Sequence, residues 1–198
     1  MSTQFGPSVA TVDLPALFGR ALDEFERRVT TVSAEQWSAP TPCTDWDVRT
    51  LVGHVVAEQL WAPSMLAGET MEEVGDRFDG DVLGDDPAAA WRSAAARARS
   101  AAGAPDALEV TVHASYGAVP AGRYLTEMTL DVAVHTWDLA RGIGADERLD
   151  PDLVDFALAV VEPNLAMLSA SGLFAPPLPV AEGASAQERL LALLGRQA

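Results

Sequence analysis

The sequence has no lysine, a single cysteine, Cys43, and three histidines, His54, His113 and His135. One thiol cannot form an intramolecular disulfide, and a cysteine-based structural zinc site needs several thiolates, so neither staple is available. Any metal must be held by imidazoles and carboxylates. Positive charge is scarce as well. The 13 basic residues, all arginine, face 29 acidic ones, and a net charge of -16 repels phosphate backbones and anionic lipid surfaces. Neither nucleic acid nor a membrane surface is expected as a partner. No apolar stretch approaches the roughly 20 residues that span a bilayer. The N-terminal MSTQFGPSVATVD lacks both the basic start and the apolar core of a signal peptide. The expected location is cytoplasmic.

What is present is helical periodicity. After Asp13, an N-cap, apolar residues at Leu14, Leu17, Phe18, Ala21, Leu22, Phe25, Val29 and Val32 mark one helix face. Ser33 to Gln36 fits a capping box. A second helix is predicted from about Trp46 to Leu66, capped by Thr44 or Asp45, with Val48, Leu51, Val52, Val55 and Val56 facing the core and Pro63 kinking its last turn. The acidic, glycine-rich stretch from Gly68 to Pro87 reads as a solvated loop. Asp86-Pro87 opens a third helix that ends at Gly103. Leu108, Val110 and Val112 alternate with polar residues, which predicts a short strand or extended connector turning near Tyr116-Gly117. A fourth helix covers about Ala121 to Arg141. A fifth opens at Asp150-Pro151 and is expected to kink or break at Pro163. A last capping box at Ser185 to Glu188 precedes the apolar run LLALL. The class is therefore all-α: a four-helix bundle over residues 1–172 with a short extended connector, and a C-terminal helical appendage, residues 173–198, packed on it.

On the fourth helix, Tyr124, Met128, Asp131, Val132, His135 and Leu139 share one sector. A carboxylate aimed into an apolar face costs several kcal/mol unless it is paired, and a cation is the simplest partner. Residues four apart on a helix have Cβ atoms about 6 Å apart, so Asp131 and His135 can reach one ion. A third donor must come from another helix. His54 is the better candidate, on the flank of the second helix beside Leu51, with Glu58 one turn on and Trp61 two turns on. His113 falls on the polar side of the extended segment and is expected to face solvent. Asp138, three residues past His135, could orient the second ring nitrogen. Spacing alone leaves another reading open, in which Asp131 and His135 simply hydrogen-bond each other or an arginine. Trp46, Trp61, Trp91 and Trp137 are expected to be core or pocket walls, and Cys43 a buried small side chain rather than a nucleophile.

The segments TPCTDWDVRTLVGH and DVAVHTWDLARG, followed by LDPDL and the terminal ERLLALLGR, resemble the DinB-like superfamily. More narrowly, they resemble the metal-binding N-terminal domain of mycothiol-dependent maleylpyruvate isomerases. The resemblance implies a four-helix bundle holding a divalent metal through His54, Asp131 and His135. The implied metal is zinc, with nickel or iron as alternatives. Glu58, Trp61, Tyr124 and Asp138 would then line or support the site. It also implies mycothiol as a thiol cosubstrate and a small electrophile as substrate. Where the isomerase has a glutamate in the helical pair, this chain has the shorter Asp131. The expected function is a thiol-dependent transferase or isomerase, and the alternative is a non-catalytic bundle that binds a metal or ligand. The expected state is a monomer or homodimer.

Overall fold

A computed structural model describes residues 12–198 of the chain; the N-terminal stretch read above for a leader lies, up to Thr11, outside them. Asp13 accepts a hydrogen bond from the Ala16 amide at 3.1 Å and starts α1, Leu14–Val29. The periodic residues from Leu14 to Val29 are all buried. The Ser33 capping box forms around a single 3-10 turn, Ala34–Gln36.

Helix α2 spans Val48–Leu66, two residues later than the sequence suggested, and its cap is Asp47, which accepts from the Thr50 amide at 2.8 Å. Asp45 is in the left-handed region at φ 65°, and Pro40 pairs with Asp47 as an isolated antiparallel bridge. That bridge keeps residues 40–47 in a closed loop and denies Thr44 and Asp45 the extended backbone a cap requires. Within the stretch expected to be loop, Thr70 and Glu73 complete a capping box around a one-turn helix, α3, Met71–Val74. Helix α4, Pro87–Ala102, starts at Asp86 as expected. The extended connector is a hairpin of β1, Thr111–Ala114, and β2, Gly117–Pro120, antiparallel, with Val112 opposite Val119 and both buried. Helix α5, Ala121–Ile143, stops where Gly144 adopts φ 67°, a left-handed cap that glycine reaches without steric cost.

In the unit Asp13–Asp146, α5 packs on α1 and α2, and α4 packs on α2 and α1, which closes the four-helix bundle. Phe18, Leu22, Phe25, Leu51, Trp91, Leu125, Trp137 and Leu139 are its largest fully buried side chains.

Residues Glu147–Ala198 belong to a second unit. In it α6, Pro151–Ser171, packs against α7, Ala186–Leu193, and Gln187 ties the Leu149 amide and the Glu147 carbonyl at 2.9 Å each. Helix α6 runs through Pro163 without the break expected there. That continuity joins two apolar halves into one helix long and apolar enough, by length and composition, to cross a membrane, which the sequence reading divided at the proline.

Candidate metal centre

Helices α2 and α5 are neighbours, and their facing turns bring His54, Asp131 and His135 together. His54 Nε2 lies 3.6 Å from Asp131 Oδ2, and His135 Nε2 lies 3.4 Å from Asp131 Oδ1. All three donor atoms fall within 4.8 Å of one another. Asp131 is not as deep as its helical sector implied. Its side chain is 31% exposed, yet Oδ2 itself is shielded from solvent and accepts no hydrogen bond of ordinary length. A carboxylate oxygen left in that state is costly, and a cation between the two imidazoles would satisfy it. The donor set, two imidazole nitrogens and a carboxylate, suits zinc and other borderline divalent ions. On these grounds the residues fit a metal.

The electrostatics agree with the geometry. Burial pushes the Asp131 carboxyl up, but His135 first and then His54 pull it well below the usual carboxylate range. Burial pulls His135 down, but the Asp131 charge and hydrogen bonds to Asp131, Asp138 and Cys43 raise it well above its ordinary value. Glu58, one turn along α2, is pushed up by burial and by the Asp131 charge, and the two imidazoles only partly offset this. Tyr124 is pushed up by burial and then by Glu58, and its buried hydroxyl makes no hydrogen bond. Glu58 and Tyr124 therefore extend the polar file from the triad along the α2–α5 seam.

Asp138, fully buried one turn beyond His135, lies 2.9 Å from His135 Nδ1, on the ring edge opposite Asp131. Two groups that the sequence reading left as wall or filler complete the surroundings. Trp46 lies with its ring centroid 5.0 Å from that of His54 and 5.9 Å from that of His135, and Cys43 Sγ lies 3.8 Å from His135 Nδ1. Trp61, two turns along α2 from His54, makes an edge-on contact with Phe78, ring centroids 5.9 Å apart. His113 is exposed on β1 and takes no part in the cluster.

The loop that delivers Cys43 and Trp46 lies close against α5 at Gly142. A Cβ there would meet the Pro40 carbonyl and Thr41 Cγ2 at 3.3 Å and Val48 Cγ2 at 3.4 Å. No helical periodicity governs this loop, so spacing gave no sign that Cys43 and Trp46 would meet His135.

A DinB-like helical bundle with a His–Asp–His cluster between two helices is the class that fold and site define. The family model described as the mycothiol maleylpyruvate isomerase N-terminal domain matches residues 18–140. The chain belongs to this family. Two relatives from strains of Mycobacterium tuberculosis, "Uncharacterized protein MT0763" and "Uncharacterized protein Rv0738", are each 37% identical over 144 residues, covering 71% of this chain and 72% of theirs. Among solved structures, the mycothiol-dependent maleylpyruvate isomerase superposes with a TM-score of 0.60 at 18% identity, over 84% of this chain and 75% of that one. A histidine-to-alanine mutant of the isomerase does so with a TM-score of 0.60 at 16% identity, over 85% of this chain and 72% of that one. At these identities the structural likeness speaks for the fold.

Proposed function

We propose that the chain binds a divalent metal through His54, Asp131 and His135 and uses a low-molecular-weight thiol of the mycothiol type in a transferase or isomerase reaction on a small electrophile. The single observation that carries this is the convergence of His54 Nε2, Asp131 and His135 Nε2 around a buried carboxylate oxygen with no hydrogen bond. The family name supplies the thiol and the small-molecule substrate class. Zinc is the first candidate metal, with nickel and iron as alternatives. When bound, the ion supplies the positive charge that brings a thiol's pKa towards neutrality.

The chain's own residues have separate tasks. Asp138 Oδ2 accepts the Nδ1–H of His135, which leaves the Nε2 lone pair facing His54 and Asp131. The Trp46 ring packs over both imidazoles and limits their rotation. Glu58, whose carboxyl is raised by burial and by Asp131, is not needed as a ligand and can hold the proton a thiol gives up. Because such thiols act where they are kept reduced, we place the chain in the cytoplasm.

The test is elemental analysis of chain purified without a metal-affinity tag, followed by thiol-dependent conjugation of an electrophilic dye. Stoichiometric divalent metal, with turnover lost on chelation and in His54→Ala and His135→Ala, is expected. Metal without turnover would favour the non-catalytic metal-binding bundle, and absence of metal would remove the metal reading, leaving a ligand-binding bundle or an Asp131–His135 pair without an ion.

A further inference from the structure

The edge of His135 turned away from His54 and Asp131 faces a second group of atoms. Its Nδ1 is 2.9 Å from Asp138 Oδ2 and 3.8 Å from Cys43 Sγ, and that Sγ is 3.4 Å from the same Asp138 oxygen. Donor counting decides how these atoms are joined. If Nε2 keeps its lone pair for the metal, Nδ1 carries the ring's hydrogen and can only donate. The Cys43 S–H then cannot donate to the ring, and it donates to Asp138 Oδ2 at 3.4 Å. A carboxylate accepts only, and Asp138 is fully buried, so a donor besides the imidazole helps to offset its desolvation.

The loop around Cys43 is built to hold this thiol in place. The Cys43 amide donates to Thr41 Oγ1 at 3.2 Å, and the Trp46 amide donates to the Cys43 carbonyl at 3.1 Å. Thr41 closes the turn from the other side, its amide and hydroxyl both donating to the Trp46 carbonyl at 3.1 and 2.9 Å. The loop comes closest to the α5 backbone near Gly142, one turn beyond Asp138, where a Cβ would make it give by a few tenths of an ångström.

We infer that Cys43 is a positioning residue: its thiol donates to Asp138 Oδ2, and the carboxylate so held fixes the tautomer and ring orientation that turn His135 Nε2 towards His54 and Asp131. This inference rests on the metal reading of the cluster. On this reading Cys43 is not itself a ligand, and it acts through two other side chains, Asp138 and His135.

The test compares the full chain with Cys43→Ala, Cys43→Ser and His54→Ala. Zn²⁺ affinity is measured by competition with a chromogenic chelator, together with the ligand-field spectrum of the Co²⁺ form and the melting temperature of the metal-free form. Loss of a partner behind a metal-bound histidine weakens metal binding by about 10- to 100-fold, and for a thiol donor the lower end is expected. Cys43→Ala should lose about tenfold in affinity and shift the Co²⁺ spectrum, while Cys43→Ser, which keeps a donor, recovers most of both. The metal-free melting temperatures should fall slightly in Cys43→Ala and less in Cys43→Ser, since buried Asp138 loses a donor, with every variant folded at the titration temperature. Wild-type affinity in Cys43→Ala overturns the inference. So does Cys43→Ser failing as badly as Cys43→Ala, since the sulfur itself, as ligand or as packing volume, would then be what matters. His54→Ala separates the two levels. Unchanged affinity in that variant overturns the metal reading, whereas a loss there with none in Cys43→Ala overturns the Cys43 role alone.

Discussion

The two sides of the bundle are built from different materials. Where α1 meets α4, Phe25 packs on Trp91 at 4.5 Å between ring centroids, and Ala94, Ala95, Ala98 and Ala102 line the buried face of α4. This side is apolar. Along α5, the helix that carries the cluster, the buried groups include Thr129, His135, Thr136 and Asp138. The threonines return their hydroxyls to the Leu125 and Val132 carbonyls at 2.7 Å each, and the histidine and aspartate face each other. Apolar burial stabilises on any geometry that excludes water, whereas buried polar groups stabilise only when each partner is in place. The comparison teaches that stability and candidate chemistry are carried by opposite seams of one bundle, so each can be perturbed separately.

The largest effect should come from the apolar seam. Trp91→Ala removes a fully buried indole and its contact with Phe25, and is expected to cost about 3–5 kcal/mol in chemical denaturation. A loss under about 1 kcal/mol would mean this seam is not where the bundle is held.

Next is the polar seam. His135→Ala should weaken metal binding more than the 10- to 100-fold typical of outer partners, while His113→Ala, exposed on β1, leaves it unchanged. Equal losses in a metal titration would move the site towards His113. Asp131→Asn keeps the shape but removes the charge that offsets a cation, and should weaken binding as well.

A smaller effect is expected from pH on the metal-free chain. His135 is held above its ordinary value, so the stability its pairing contributes is fully present below about pH 6.5 and is lost as pH rises through the raised value. Asp131 is held below its ordinary value, so its contribution is present above about pH 4 and is lost as pH falls through the lowered value. Melting temperature against pH should therefore decline at both ends, and His135→Asn should flatten the alkaline decline. An unchanged alkaline limb would show that the pair contributes nothing to folding.

Helix caps give the smallest effect and the sharpest contrast. Asp86→Ala on the apolar side and Asp47→Ala on the polar side should each cost about 1 kcal/mol. Only Asp47 also sits where a backbone bridge to Pro40 ends the loop carrying Cys43 and Trp46, so losing its cap loosens the first turn of α2 beside that loop. Asp47→Ala alone should therefore lower metal affinity as well as stability; equal affinity in both variants would uncouple the loop from the site.

The sequence by itself determined the bundle and half of the cluster. Periodicity at 3.6 residues made α1, α2, α4 and α5 legible, because burial on one face is a local pattern. The i, i+4 spacing of Asp131 and His135, and Asp138 three residues further on, could be read the same way, since all three lie on one helix. Helix limits were less legible where a bridge or a continuous backbone overruled the local signals, as at Asp47 and at Pro163. Only the tertiary structure decided that His54 comes within 3.6 Å of Asp131, that Trp46 packs against both imidazoles, and that Cys43 reaches Asp138. The contacts to α5 join positions about 80 to 95 apart in the chain, from α2 and from a loop without periodicity. They depend on how closely α2 and that loop approach α5, as where Gly142 lies tight against Pro40 and Thr41, and no local pattern encodes such a distance.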